Sequence, residues 1–538
     1  MGYWARTPQA RGQQVLFATT VDDVIPPEDP VRLFAELLDG FDWSSWEAQY
    51  HGHRGQPPIH PRVLAGLWLY GLRRGVRSSR KLEYMAGHNV DFLWLGEGHV
   101  PDHSTLSNFR LQFGEPLKEL FRHVLRVAMT AGLLRLVDVA TDGTRVRASN
   151  SRFETWTAEK IALVIDELTR EFAQKLAETR VNDGRDDDLF GEESSDALPP
   201  ELADLQTRRE KLAQIQRDLK AMDEARRKEG IDPAKNPAQI PKHDPDSRVL
   251  PNKEGGYAPN DTPICTAEGH GGFLIDVDVI AINGEQRELL PSLDRVEQTL
   301  GEKPEHALAD GAFATGPNIE GLEQRGIEFF TNIPSPDPAT NPAIRPDPTQ
   351  PVPPEQWDQL PISPQTKKLD KACFIDNAET NVFHCPQGHT MRREETSVCW
   401  SRAQVSRGEK TTWEVYRCGA CDGCPLKSRC VAPSNKGGRT ASRDRYAPQR
   451  EQLAAKMRGD PARKKYDQRM RIAETPFALI KHVMGLRQFL LRGLPLMLSM
   501  AKDRVKLEWL WTCAAVNLDK LARGLARLRT KLTVEALK

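Results

Sequence analysis

The chain has 538 residues, and its 75 lysines and arginines are balanced by 75 aspartates and glutamates, so the formal net charge is zero. This length allows several domains, and a hydrophobic fraction of 39% is ample for sizeable cores. The sequence has no run of eighteen apolar residues and no charged-then-apolar segment at its start. We therefore expect a soluble, intracellular protein with no membrane partner.

The first 130 residues are predicted to form a helical domain. Leu, Val, Phe and Trp recur at helical spacing, which predicts helices over 31–38, 61–74, 79–86 and 105–129. Short helices joined by glycine-bearing turns suit a helix-turn-helix that binds DNA, and they also suit a plain helical dimerisation domain. In the first case the candidates for phosphate contacts are Arg54, Arg62, Arg73, Arg74, Arg77, Arg80 and Lys81.

Residues 131–154 contain the first predicted strands. Between Leu136 and Arg147 the side chains alternate with a period of two, which is the pattern of a strand rather than a helix. Asp142 precedes Gly143, a turn signal, and therefore falls at a strand end. A strand-end aspartate before a glycine is by itself ordinary turn chemistry.

Residues 155–250 leave the strand pattern and are predicted to form an inserted helical hairpin. The polar span 181–200, with the acidic run Asn182–Glu193, separates two apolar stripes and is expected to be a mobile loop. The stripes are Ile161, Ile165, Leu168, Phe172 and Leu176 in the first arm, and Leu205, Leu212, Ile215, Leu219 and Met222 in the second.

Strands and helices alternate through residues 251–334. The pattern predicts strands over 257–268 and 272–282, a helix over 288–300, a strand and turn over 306–313, a helix over 318–325 and a strand over 327–333. This order is typical of a sheet with parallel pairs, in which ligands bind at the carboxyl ends of strands. Asp310, followed by Gly311, lies at such an end.

Residues 335–440 combine a Pro-rich stretch, 334–364, predicted to be a linker, with a cysteine-rich insertion. The insertion has the spacing C-x3-H, then C-x2-C-x2-C-x5-C, and thiolates two residues apart in a tight turn can bind one tetrahedral ion. An iron–sulfur cluster is the rival interpretation, and a disulfide is weaker in an intracellular chain. We expect a structural Zn²⁺ held by four of Cys385, Cys418, Cys421, Cys424 and Cys430, with His389 as an alternative ligand. The remaining cysteines, interpreted as ordinary thiols, are Cys265, Cys373, Cys399 and Cys513.

Residues 441–538 are predicted to be helical and carry a third acid. Apolar residues recur every three to four positions around Glu474, so Glu474 and Lys481 are expected two turns apart on one side of a helix. Pro476 suits a first helical turn better than a helix interior. The basic approach to Glu474 would neutralise DNA phosphates, although a solvated helix surface has the same character. Its residues are Arg443, Arg445, Arg450, Lys456, Arg458, Arg463, Lys464, Lys465, Arg469 and Arg471.

Asp142, Asp310 and Glu474 come from distant segments, and together they suggest one metal site. Hydrolysis of a phosphodiester at neutral pH needs an activated water and a stabilised leaving oxygen, and two Mg²⁺ ions about 4 Å apart provide both. Mg²⁺ prefers oxygen ligands and keeps several waters, so three carboxylates suffice. Three carboxylates that meet at one place could therefore bind two such ions, Mg²⁺ or Mn²⁺, whereas each aspartate taken alone is more simply explained as turn chemistry.

These motifs resemble the DDE transposases of bacterial insertion sequences, over most of the chain and in four blocks. The first block contains Ile25–Arg32, Pro61–Leu64, Ser79–Glu83 and Pro101–Arg110, and the second and third are the two aspartate motifs. The fourth is similar to the family's tyrosine, arginine, glutamate and lysine signature and contains Tyr466, Arg469, Glu474, Lys481, Gly485, Phe489, Arg492 and Gly493. The six residues between Glu474 and Lys481 match that signature. Between Arg469 and Glu474 there are four residues instead of three.

The resemblance implies an α/β fold with a ribonuclease-H-like mixed sheet flanked by helices, behind an all-α N-terminal domain. It implies that Asp142, Asp310 and Glu474 bind the two metal ions, and that DNA is contacted by Lys481, Arg469, Tyr466, Arg492 and Arg110. The implied function is recognition of the inverted-repeat ends of a mobile element in double-stranded DNA, followed by cleavage and strand transfer. A homodimer on DNA, in the bacterial cytoplasm at the nucleoid, is expected. The alternatives are a Mg²⁺ nuclease of the same fold without strand transfer, and a degenerate, non-catalytic DNA-binding protein.

Overall fold

The chain is a mixed α/β protein with a helical N-terminal region, described by a computed structural model. The residues described are 20–50, 57–151, 154–190, 200–228, 230–244, 247–252, 255–280, 284–333, 337, 339–377, 379–394, 413–433, 435, 437–492 and 504–536. Within these ranges, no helix combines the length and the apolar character needed to cross a membrane.

Helices precede the first strand throughout the described part of the N-terminal region. The predicted helices over 31–38, 61–74 and 79–86 are confirmed as α2, α4 and α5. The helices are α1 (Val21–Val24), α2 (Pro30–Asp39), α3 (Ser44–Glu47), α4 (Pro61–Arg73), α5 (Ser79–His88), α6 (Val90–Leu95), α7 (His103–Gln112) and α8 (Gly114–Thr130).

The prediction of one continuous helix over 105–129 is wrong. The chain leaves helical geometry at Phe113 (φ −102°, ψ 51°), between α7 and α8. Pro116 explains the break, because inside a continuous helix it would remove a backbone hydrogen bond and clash with the preceding turn. Restarting the helix at Gly114 puts Pro116 in a first turn, where proline is tolerated.

A seven-stranded mixed sheet forms the centre of the molecule. Along the order β7-β6-β1-β8-β9, β6 is antiparallel to both neighbours, whereas β1, β8 and β9 are parallel. Strands β2 and β5 pair with the remaining length of β6. The strands are β1 (Asp138–Gly143), β2 (Val146–Arg147), β5 (Arg248–Pro251), β6 (Tyr257–Glu268), β7 (Leu274–Ile280), β8 (His306–Ala309) and β9 (Glu328–Thr331).

Helix α11 (Leu289–Leu300) connects β7 to β8, and α12 (Gly316–Arg325) connects β8 to β9. Each predicted segment of this region contains the observed element, except that α12 begins two residues earlier than predicted. The mixed sheet with parallel pairs is therefore confirmed.

The predicted helical hairpin is present as α9 (Ala158–Phe190) and α10 (Pro200–Lys228), with a small sheet of β3 (Thr155–Trp156) and β4 (Ile240–Pro241) at its base. The two stripes face each other in a separate core that includes Ile161, Leu168, Leu212 and Leu219. The expectation of a loop over the whole acidic run is wrong, because α9 continues through residue 190. Residues 191–193 of that run lie outside the described residues.

The cysteine-rich region forms its own antiparallel sheet, in the order β10 to β14, and its own core. The Pro-rich stretch is part of this unit rather than a free linker, because Ala343, Val352 and Leu360 are buried in the core. Residues 334–336 and 338 of that stretch, and Cys399, lie outside the described residues. The elements are β10 (Ile375–Asn377), β11 (Val382–His384), β12 (Thr390–Arg393), β13 (Trp413–Cys418), α13 (Lys427–Cys430) and β14 (Thr440–Asp444).

The C-terminal part returns to the sheet as α14 (Ala447–Met457), α15 (Asp460–Ala478), a π-helical turn (Leu479–Val483) and α16 (Arg504–Ala536). Helix α16 packs on the N-terminal helices. Trp46 stacks on Phe113, with ring centroids 5.0 Å apart, and meets the ring of Trp511 edge-on at 6.1 Å. The indole of Trp511 donates to the carbonyl of Arg110 at 3.1 Å. N-terminal helices, sheet and C-terminal helix therefore share one hydrophobic core.

A buried carboxylate joins these parts electrostatically. Glu508 on α16 is fully buried, and its Oε1 lies 2.9 Å from Arg77 and 3.2 Å from Arg110, both from the N-terminal region. Its Oε2 accepts hydrogen bonds from the backbone N–H groups of Leu490 and Leu491, at 2.9 and 2.8 Å. Arg77 also donates to the carbonyls of Gly485 and Gln488, at 2.9 and 2.5 Å. The segment 485–491 is thus held by charges from two distant parts of the chain.

Replacing Glu508 by alanine should lower the free energy of unfolding by about 3–5 kcal/mol, because two arginines would stay buried without their carboxylate. The matched control is Glu36→Ala, which removes a pair with Arg529 in which both side chains are more than half exposed. That change should cost less than about 1 kcal/mol. Urea unfolding followed by tryptophan fluorescence measures both, and equal effects would contradict a stabilising role for the buried network.

Candidate active site

The register of two parallel strands brings Asp142 and Asp310 to the same level. Ala140 of β1 lies opposite Leu308 of β8, and Asp142 and Asp310 each follow two residues later. Neighbouring strands are about 4.8 Å apart, and residues at one level of a parallel pair point to the same face. Two acids from distant segments therefore share one edge of the sheet.

Asp142 lies in a mostly buried position, with 15% of its side chain exposed. Burial is the main reason that its pKa is raised to about 6, and the negative charges of Asp310 and Glu285 act in the same direction. A hydrogen bond from the N–H of Gly143, at 2.8 Å, and the positive charge of Arg469 act against this increase. The carboxylate is ionised at neutral pH, but at a cost in free energy.

Asp310 is fixed by hydrogen bonds from both sides. Its carboxylate caps the short 3-10 turn that follows β8, accepting from the N–H of Ala312 at 2.8 Å. Its carbonyl accepts from the hydroxyl of Thr331, at the end of β9, at 2.9 Å. The end of β9 therefore helps to fix Asp310, whereas Asp142 is fixed by the antiparallel pairing of β1 with β6, in which it lies opposite Cys265.

Two ion pairs hold helix α15 along β1. Lys465 lies 2.8 Å from Asp138 at the start of the strand, and Arg469, one turn later, lies 3.6 Å from Asp142 near its end. The helix approaches closely at Gly269, where an added Cβ would come within 2.9 Å of the Ile472 side chain. A side chain larger than glycine at this position would displace the end of the Ile472 side chain, and the close approach lets α15 carry Glu474 to the edge that bears the aspartates.

Glu474 is more exposed than the aspartates, at 55% of its side chain, and lies 3.6 Å from the same guanidinium that faces Asp142. Pro476 lies inside α15 rather than in a first turn, against our expectation, and a π-helical turn follows. Lys481 in that turn donates to the hydroxyl of Thr144 at 2.6 Å and to the carbonyl of Arg145 at 2.8 Å. Glu474 thus lies near Asp142, and Lys481 contacts the turn that follows Asp142 in the chain.

Glu285 belongs to the same site, although its sequence context gave no sign of this. It begins a 3-10 turn before α11, and its carboxylate pairs with Arg145 at 2.9 Å. It lies so close to Gly143 that a Cβ there would come within 2.5 Å of its Oε2. Gly143 therefore allows a fourth carboxylate to approach the strand that bears Asp142.

The remaining predicted DNA contacts differ in accessibility. Tyr466 is partly buried against the core, with its ring 5.9 Å from the guanidinium of Arg469. Arg492 is exposed and donates to the hydroxyl of Ser149 at 3.2 Å. Arg110 has 4% of its side chain exposed and faces Glu508. This burial argues against a direct phosphate contact by Arg110.

The chemistry of the site suits a hard divalent cation. Its donors are carboxylate oxygens, which Mg²⁺ prefers, and the guanidinium of Arg469 supplies positive charge between Asp142 and Glu474. In the part of the chain that is described, no three His, Cys, Asp or Glu side chains are arranged as a ready-made metal site. Binding of a cation would therefore require these side chains to move.

The predicted cysteines lie around one small cavity of about 20 Å³, which Cys385, Cys418, Cys421, Cys424, Cys430 and His389 help to line. Cys385 follows β11 and Cys418 ends β13, in one sheet. A hydrogen bond from the thiol of Cys418 is the main reason that the pKa of Cys385 is lowered. The sulfur of Cys421 accepts from the N–H of Arg439 at 3.3 Å. Five thiols thus border a space of roughly the size of one ion or one water.

Comparison with protein families finds two matches to parts of the chain. A family model described as "Transposase DDE domain" matches residues 384–522, and one described as "Transposase domain (DUF772)" matches residues 19–112. These two matches support a DDE transposase of an insertion-sequence family. No curated protein and no solved structure matches it.

The two matches cover different parts of the chain. The first spans the cysteine cluster together with Glu474, Lys481 and Glu508, and the second spans the N-terminal helices up to Gln112. Asp142 and Asp310 lie outside both matched ranges. Their assignment to the site depends on the strand register and on their interaction with each other.

Asp142→Asn should stabilise the metal-free transposase at about pH 8 but not at about pH 4. The folded-state pKa of about 6 lies above the ordinary 3.8. Between these values the unfolded chain releases its proton before the folded one, so stability falls as the pH rises through this window. The cost removed is about 3 kcal/mol. Thermal unfolding in the presence of EDTA measures the difference, and an equal effect at both pH values would contradict it.

Proposed function

We propose that this transposase binds the terminal inverted repeats of its element, cuts the DNA there and joins the freed 3′ ends to target DNA. The observation that carries the proposal is that Asp142 and Asp310 stand level on parallel strands, while Glu474 shares the guanidinium of Arg469 with Asp142. This is an arrangement of oxygen donors from three distant segments at one sheet edge. The family to which the chain belongs generally uses divalent metals.

We assign the metal ions to Asp142, Asp310 and Glu474. Two Mg²⁺ or Mn²⁺ ions would supply an activated water and stabilise the leaving oxygen. The aspartates provide rigid positions because β1, β8 and β9 hold them, whereas Glu474 provides a movable one from an exposed helix surface. Water in cleavage and a 3′ hydroxyl in strand transfer are two nucleophiles for one phosphoryl-transfer step, so one site serves both.

The cations beside the acids form the proposed DNA surface. Lys481 and Arg469 flank Glu474, and Arg492, Arg147 and Arg487 are exposed near the turn that follows Asp142. Segment 485–491 joins this edge, since Phe489 donates its N–H to the carbonyl of Arg147 at 2.8 Å. Each contact between one of these cations and a phosphate releases counterions and makes binding depend on salt. A local cationic edge is therefore sufficient for DNA binding by a chain with no net charge.

We also assign the sheet to the ribonuclease-H-like folds. The support is the mixed sheet with one acid at the end of its central strand, a second at the end of the parallel neighbour, and a third on a helix laid along the central strand. The helical N-terminal region is assigned to end recognition and to dimer formation on DNA.

Alanine at Asp142, Asp310 or Glu474 should each reduce cleavage at least about a thousandfold, the scale of losing an essential catalytic group. Affinity for the ends should change little, because phosphate contacts dominate it. The substrate is the DNA that flanks the gene, and Asp467→Ala, an exposed acid on the same helix as Glu474, is the matched control. Gel assays separate binding, cleavage and strand transfer.

Each alternative function has its own outcome in this assay. Wild-type protein that cuts in Mg²⁺ without joining ends would support the nuclease. Protein that binds ends and never cuts would support the degenerate DNA-binding protein. A variant that cuts at a near-normal rate would remove its residue from the metal site.

The cysteine cluster is proposed to hold one structural Zn²⁺ through Cys385, Cys418, Cys421 and either Cys424 or Cys430. The support is the soft thiol donor set, the lowered pKa of Cys385 and the ion-sized cavity. Binding would draw the sulfurs together, since they do not already form a metal-binding arrangement in the described residues. Such binding contributes directly to the folding free energy of the unit.

Purified protein should contain about one zinc per chain and show no visible absorption, because d¹⁰ zinc is colourless whereas iron–sulfur clusters are not. Cys418→Ser should lose the metal and lower the stability of the unit. Cys373→Ser, a buried thiol in the same core that does not line the cavity, should retain it. Mass-spectrometric metal analysis measures the content, and a metal-free or iron-containing protein would contradict the assignment.

A further inference from the structure

The guanidinium of Arg469 lies between two of the three acids assigned to the metal site. Its Nη1 is 3.6 Å from Oδ2 of Asp142, and its Nη2 is 3.6 Å from Oε1 of Glu474. Only 14% of the side chain is exposed. One cation thus faces two carboxylates from different segments at the same time.

These contacts are ion pairs rather than close hydrogen bonds, because 3.6 Å exceeds the usual donor–acceptor range of about 2.7–3.2 Å. Arg469 and Glu474 are five positions apart on α15, which turns their side chains about 140° from each other. They therefore do not form the usual pair between residues three or four apart. The guanidinium is held in place mainly by charge, so a stronger cation can displace it.

The neighbouring cations have other partners. Arg145 is paired with Glu285, at 2.9 Å. Lys481 donates to Thr144 and to the carbonyl of Arg145, and Lys465 is paired with Asp138. Among the described residues, Arg469 is the cation whose ion pairs reach both Asp142 and Glu474.

We propose that Arg469 is a placeholder cation that holds Asp142 and Glu474 together in the metal-free transposase and competes with the catalytic metal ions for them. This inference rests on the proposed metal site. A divalent ion would carry twice the charge of the guanidinium, and Asp142 and Glu474 would be among the carboxylates that hold it. Metal entry therefore requires the Arg469 side chain to withdraw from between the two carboxylates.

The test is Mn²⁺ binding to the full-length protein without DNA, followed by the loss of the free Mn²⁺ signal in electron paramagnetic resonance at about pH 8. Arg469→Gln removes the competing charge and should lower the apparent Kd for Mn²⁺ at least about fivefold, the equivalent of losing one partly exposed ion pair. Arg469→Lys keeps the charge and should bind Mn²⁺ like the wild type. Arg471→Gln, an exposed arginine two residues along the same helix, should change nothing.

Asp310→Asn distinguishes a failure of the placeholder role from a failure of the metal site itself. Asp310 is assigned to the same metal site but has no ion pair with Arg469 among the described residues. If Asp310→Asn loses Mn²⁺ binding while Arg469→Gln binds no more tightly than the wild type, the metal site stands and the placeholder role is overturned. If the wild type and Asp310→Asn bind Mn²⁺ equally, the metal site itself fails, and the placeholder role fails with it. Circular dichroism and thermal unfolding confirm that each variant is folded, and Arg469→Lys shows whether charge or packing is responsible.

Discussion

The buried carboxylate of Glu508 is the interaction on which the rest of the structure depends. It pairs with Arg77 and Arg110 from the N-terminal region. It also accepts hydrogen bonds from two backbone N–H groups of the segment 485–491. Desolvating these charges is costly, and their attraction compensates only when the geometry satisfies all of them. Moving the segment 485–491 away from Glu508 would remove some of the partners of these buried charges, so the observed position of the segment is favoured. Most of the N-terminal helices and the first part of the C-terminal helix α16 belong to the two matched ranges, which are far apart in sequence. They pack together with the sheet in one core and are joined by this buried network.

The contacts of Glu508 also position the residues that surround Asp142 at the edge of the sheet. Phe489 and Gln488, within the segment that Glu508 and Arg77 hold, bond to the backbone of Arg147 and Ala148 just beyond Asp142. Lys481 approaches the same turn from the other side through Thr144. The N-terminal helices are thus connected to the surroundings of Asp142 by a short series of ion pairs and hydrogen bonds. The end recognition that we assign to those helices and the chemistry that we propose at the sheet would therefore need no separate connection.

Much of the sheet could be predicted from the sequence because its strands show periodic side-chain alternation, and β6 occupies the predicted residues 257–268. The strand-end positions of Asp142 and Asp310 followed from the same pattern. Glu285 could not be predicted, because only the fold brings its carboxylate beside Gly143, where its charge acts on Asp142. The burial of Arg110 could not be predicted either, since its partner Glu508 lies about four hundred residues away. The break at Phe113 depended on a local rule for Pro116 that apolar periodicity conceals.

The three acids differ in how their positions are determined. Asp142 is held by the antiparallel pairing of β1 with β6, and Asp310 by the hydroxyl of Thr331 at the end of β9. Burial makes the charge of Asp142 costly. Glu474 lies on a half-exposed helix surface, before a proline and a π-helical turn, and such turns often occur at functional sites. Helix α15 keeps its register on β1 through Lys465 and Arg469, so a small local change near Pro476 moves Glu474 without disturbing the aspartates. In the proposed metal site the two aspartates would be fixed ligands and Glu474 an adjustable one, and the placeholder role proposed for Arg469 would determine when Glu474 can join them.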